Sequence, residues 1–111
     1  MPVLMFRSQR GTDGPSFNTF RLGGAWSKRL YPGLEVALLD DKHGLFAKAL
    51  VTNVYFGAIE DMALMFGKDN HMLVGKDVDL PTDMLKVLRN AYGGMIFRAH
   101  DSATVIYLQR H

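Results

Sequence analysis

The sequence predicts an α+β protein: a small, mostly antiparallel, partly closed β-barrel carrying two helices. Strand-like alternation flanks two segments of helical period, instead of alternating with them as βαβ units would. Clusters rich in Gly, Pro and Asp separate the strand-like segments at hairpin distances. A chain of 111 residues, 48% hydrophobic and without cysteine, can bury one unstapled core, so residues 1–111 form one domain.

Residues 2–6 read as a first strand, closed by the turn-rich run Gly11-Thr12-Asp13-Gly14-Pro15-Ser16. Residues 17–22 alternate imperfectly and stop at Gly23-Gly24, as a short second strand would. A helical turn fits residues 25–31, before Pro32-Gly33 supplies a tight turn. Residues 34–39 then alternate Leu34, Val36 and Leu38 against Glu35, Ala37 and Leu39, and the polar run 40–44 makes a hairpin loop.

The clearest strand is 45–56, with Phe46, Leu50, Val54 and Phe56 on one side and Leu45, Ala47, Ala49, Val51 and Tyr55 on the other. Two apolar faces suit a strand covered on both sides. Ile59, Met62, Ala63 and Phe66 recur at helical spacing up to Gly67, whereas 68–79 shows no period and reads as loop. A second helix fits 80–92, with Pro81 in its first turn, Leu85, Leu88 and Tyr92 on one side, and Gly93-Gly94 as its stop. Residues 95–99 and 103–109 finish the chain as two further strands. The core expected from these patterns is Val36, Leu38, Phe46, Leu50, Val54, Ile59, Met62, Leu85, Leu88 and Ile106.

Composition narrows the function classes. The absence of cysteine excludes disulfides, thiolate metal sites and a cysteine nucleophile, and fits a cytoplasmic location. The apolar start runs into Arg7 and Arg10 too soon for a signal peptide, and no run is long enough to span a bilayer as a helix, so no membrane partner is expected. Net charge is only +2, but residues 1–29 carry Arg7, Arg10, Arg21, Lys28 and Arg29 against Asp13 alone, which predicts a local positive patch.

Catalytic signatures are sparse. His43, His71, His100 and His111 lack metal-ligand spacing, so no metal and no cofactor is expected. No glycine run leads into the Lys-Ser or Lys-Thr of a phosphate loop, and no serine sits in a nucleophile elbow. Glu60 and Asp61 diverge by about 100° around a helix, which aims them apart.

The run 17–29 is the most suggestive. Its cations can hold phosphate, Trp26 can stack on a base, and Asn18 or Thr19 can read a polar base edge. The plainer alternative puts Trp26 in the core and leaves the cations as a solvated rim.

Within 17–39, Phe-Asn-Thr-Phe-Arg-Leu followed by Lys-Arg-Leu-Tyr-Pro-Gly-Leu-Glu-Val-Ala-Leu-Leu resembles the ASCH domains of the PUA-like superfamily. The similarity continues through 47–56, the Gly-Ala-Ile-Glu-Asp-Met start of a helix, and a late strand at 105–108. It implies a barrel with packed helices and a cleft beside the early strand, a fold associated with RNA binding and, in some members, hydrolysis of modified nucleosides. In the hydrolytic branch a Lys-Thr pair, a further Thr and a later Glu form the catalytic set; here Asn18, Thr19, Arg21 and, loosely, Glu60 stand in those places. Asparagine can be neither a general base nor a cationic activator at neutral pH, so no catalytic residue is assigned.

The expected function is therefore a nucleic-acid or nucleotide-binding module, with RNA the expected ligand. Its contacts would be Arg7, Arg10, Asn18, Thr19, Arg21, Trp26, Lys28 and Arg29. The alternatives are a nucleoside-modifying amidohydrolase and a non-catalytic module for a protein partner.

Overall fold

The computed structural model describes residues 1–111. Its single sheet holds β1 (Val3–Phe6), β2 (Ser16–Leu22), β3 (Glu35–Asp40), β4 (Gly44–Ala58) and β5 (Ser102–Arg110), in the order β1-β3-β4-β5-β2. β1 runs parallel to β3, and every other pairing is antiparallel. The sheet curls into a half-barrel. The barrel stays open because its outermost strands, β1 and β2, do not pair with each other. There are three helices where two were expected: α1 (Ala25–Arg29), α2 (Ile59–Phe66) and α3 (Thr82–Ala91).

Turn chemistry fixes the long central hairpin. Gly33 adopts φ +96°, open to glycine at little cost, and its N–H donates to Val51 O at 2.7 Å, tying the approach to β3 onto β4. At the β3–β4 turn, the Asp40 carboxylate accepts N–H bonds from Lys42 and His43, a local cap that competes well with water.

Two apolar clusters hold the fold. Inside the curl lie Leu4, Phe6, Phe17, Val36, Leu38, Val51, Ile106 and Leu108 among others. Between the sheet and α2 and α3 lie Phe20, Ile59, Met62, Met84, Leu88 and Val105 among others. β2 and β5 feed both clusters and are therefore the strands covered on two faces. β4, expected to be covered on both sides, leaves Leu45, Tyr55 and Phe56 exposed.

A β-bulge explains why strict alternation misreads β4. The register with β5 shifts between Val51 and Asn53, so Val51 and Val54, opposite in parity, both pack toward the inner cluster. Of the expected core, Val36, Leu38, Ile59, Met62, Leu88 and Ile106 are buried, while Phe46, Leu50, Val54 and Leu85 are half-buried.

The strand expected at 95–99 does not form, and Ile96 is 98% exposed. Both edges of β5 are already taken, by β4 and β2, so a hairpin partner preceding it has no place in the sheet. The end of the segment and the turn after it instead receive the start of α2: Glu60 N–H donates to Ala99 O and Ile59 N–H to Asp101 O.

Candidate functional site

The gap between the unpaired edges β1 and β2 is a cavity of about 590 Å³, in the range of small-ligand pockets. It lies at the edge of β2 that faces away from β5, beyond the bridge of Asn18 to Asn70, so both faces of that strand contribute: Thr19 and Arg21 from one, Phe20 from the other. Phe6, Arg7 and Ser8 line it from β1 and the chain just beyond, and Met84, Leu88 and Tyr92 from α3 and its end. Asn70, His71 and Met72 close the remaining side, with the exposed Asp41 as the one carboxylate in the lining.

Arg21 is the principal charge within. Its guanidinium lies 4.9 Å from the centre of the Phe6 ring, and Nε donates to Thr19 Oγ1 at 3.2 Å. Burial pulls its pKa down, with Tyr92 acting in the opposite direction, yet an arginine remains charged. No carboxylate pairs with it, since the ion pairs of the chain are Asp40–His43, Asp83–Lys86 and Glu35–His111. Arg21 is half-buried, and its terminal nitrogens donate to no protein acceptor and keep exposed surface.

His71 has the opposite polarity. Nδ1 sits 2.9 Å from Arg10 O, and a carbonyl can only accept, so Nδ1 carries the hydrogen and Nε2 the lone pair. Burial pushes the imidazole pKa down to about 4, and the charges of Arg21 and Arg10 push the same way against the Arg10 hydrogen bond.

The loop bearing His71 is held from two directions. Arg10 donates from its guanidinium to His71 O, Met72 O and Val74 O at 3.1, 2.7 and 3.1 Å. From the other side, His71 N–H donates to Asn18 O, extending the edge of β2, and Asn70 Oδ1 accepts from Met72 N–H. Gly11 permits this closeness: at φ +73°, a Cβ there would lie 2.0 Å from His71 O.

The expected contact residues thus separate. Arg7, Thr19 and Arg21 meet in the cavity. Arg10 spends its donors on the loop. The Asn18 side chain points to the opposite face of β2, where Nδ2 donates to Phe66 O and Oδ1 is buried without a partner. Trp26, Lys28 and Arg29 lie on α1, outside the cavity, with Trp26 packed on the inner cluster and the Arg29 guanidinium 4.5 Å from the centre of its ring. Glu60 is exposed on the first turn of α2, also outside the cavity, so Thr19 and Glu60 do not share a site there. No three His, Asp or Glu side chains group as a metal site, and no helix is long and apolar enough to cross a membrane.

Among solved structures, a DUF984 protein from Enterococcus faecalis superposes at TM-score 0.69 and 12% identity, over 100% of this chain and 76% of its own. An ASCH domain from Lactobacillus crispatus superposes at TM-score 0.57 and 15% identity, over 90% of this chain and 67% of its own. The chain has the ASCH-type fold. At these identities the likeness is one of fold, and it agrees with the resemblance carried by residues 17–39. No family model matches the sequence, and no curated protein matches it. Within this ASCH-type fold the residues that sequence reasoning missed, His71, Asn70 and the α3 face, come from an aperiodic loop and a helix read only for its core side. The sole available signal was a lone histidine beside Asn70 in that loop.

Proposed function

We propose that this protein is a nucleotide-binding module that takes one nucleotide unit, free or within single-stranded RNA, between β1 and β2. One observation carries the reading: Arg21 lies in the cavity with its terminal donors unused and no carboxylate beside it. A planar guanidinium so placed favours a phosphate, which accepts two parallel N–H bonds. Arg7 adds a second cation, and the accessible apolar lining at Met5, Met72 and Val87 suits the flat face of a base. The resemblance to ASCH domains, a fold associated with RNA binding, points the same way.

Calorimetric titration of 5′-mononucleotides, the matching nucleosides and a short single-stranded RNA tests it. The nucleotide should bind about tenfold or more tightly than its nucleoside, the scale of one charge-assisted contact. Arg21→Met should erase that difference, and binding should weaken with added salt. Absence of binding by all three ligands at low salt would refute the proposal.

A further inference from the structure

We infer that His71 is a specificity-determining residue of this cavity: its Nε2 is a fixed hydrogen-bond acceptor that selects a ligand whose base presents an N–H donor. The inference rests on the nucleotide reading of the site and adds what part of the ligand is read.

The tautomer is set by a reciprocal lock. The His71 ring holds the backbone of Arg10 through Nδ1–H, while the Arg10 side chain holds the backbone of His71 and the two carbonyls beyond it. Turning the ring over would replace Nδ1–H by a carbon and leave the Arg10 carbonyl without that bond. Phe6 and Phe17 also meet the imidazole edge-on, with centroids 5.1 and 6.2 Å away, which fixes the plane of the ring.

Nε2 is therefore the free nitrogen, and no protein donor reaches it. Asn18 Oδ1 is the one fully buried side-chain nitrogen or oxygen without a partner, so Nε2, which has none either, keeps exposed surface, and His71 lines the cavity. Burial first, and then the charges of Arg21 and Arg10, disfavour a second proton on the ring, which keeps it an acceptor at neutral pH.

Donor and acceptor also share one platform. The Arg21 guanidinium and the His71 ring lie 4.9 and 5.1 Å from the centre of the same Phe6 ring. A single ligand can place its anionic group on Arg21 and its N–H on Nε2. A ligand offering only lone pairs toward His71 would leave the acceptor unpaired, and sites built on hydrogen bonds discriminate strongly on that basis.

The test compares ligands with and without the donor. Uridine 5′-monophosphate is titrated against its N3-methyl analogue, and adenosine 5′-monophosphate against purine riboside 5′-monophosphate, which lacks the amino group and adds no bulk. For whichever base binds more tightly, removal of the donor should weaken binding to the wild-type protein at least tenfold. His71→Phe, which keeps a flat ring between Phe6 and Phe17, should shrink that ratio to within about threefold. The wild-type comparison needs no variant, and His71→Gln, which restores a side-chain acceptor, covers a misfolded phenylalanine variant. Phosphate-dependent binding with no preference for the donor, or a preference that survives His71→Phe, overturns the inference and leaves the site reading standing. No binding by any nucleotide removes both.

Discussion

Acidification from pH 7.5 to 4.5 should destabilise the fold through His71, by an amount that follows from its burial. The imidazole titrates at about 4 in the folded protein against 6.5 for the free group. The fold thus prefers neutral His71. Its contribution is complete above about pH 6.5 and is lost as pH falls toward 4, because the unfolded chain takes up the proton first. Linkage between those two values gives a loss of about 2.5 kcal/mol by pH 4.5, a large part of the 5–15 kcal/mol typical of a domain. Asp40 acts in a lower window. Its carboxyl is held well below the usual range, first by the Gln9 side-chain bond and then by Lys42 N–H, so its contribution persists until pH falls below about 3.8. Urea unfolding at several pH values, for the wild type and His71→Phe, isolates the histidine, since every other group is common to both. The wild type should lose about 2.5 kcal/mol more than the variant across this range. Equal slopes for the two proteins would refute the placement of His71 as a buried, neutral imidazole.

Further substitutions test the clamp and the separation of α1 from the cavity. Gly11→Ala should destabilise by well over 1 kcal/mol in thermal melts, since it combines a positive φ with a Cβ driven against His71 O. Arg10→Met removes three N–H···O=C bonds and should cost about 1–2 kcal/mol, with faster amide exchange at Leu73 and Val74 as the local readout. Trp26→Ala should cost about 1–3 kcal/mol from lost packing, yet leave nucleotide affinity unchanged within about twofold, because α1 does not line the cavity. A tenfold loss of affinity in Trp26→Ala would return the indole to the binding surface.

What the sequence made legible was local. Pro32-Gly33, the Asp40 to Gly44 run and the period of Ile59–Phe66 each encode their own geometry within a few residues, and all appear where the pattern put them. Residues 95–99 alternate like a strand, but whether they pair depends on whether β5 has a free edge, which is a property of the whole sheet. The bulge at Val51 to Asn53 likewise leaves no mark in an apolar run, because Val51 and Val54 satisfy either face. For the site, a positive charge count identified Arg7 and Arg21 but could not separate them from Arg10, whose role depends on a loop 61 to 64 residues away. Parity within β2 does divide Asn18 from Thr19, since neighbouring strand residues point to opposite faces.

The most direct test of the central claim is an amide chemical-shift map of the wild-type protein titrated with the 5′-mononucleotide that binds best. The account predicts shifts concentrated at Arg7 and Ser8, Thr19 to Arg21, Asn70 to Met72 and the Leu88 to Tyr92 end of α3, with the Trp26 indole and the amides of α1 unmoved. Shifts confined to Trp26, Lys28 and Arg29, with the cavity silent, would contradict it.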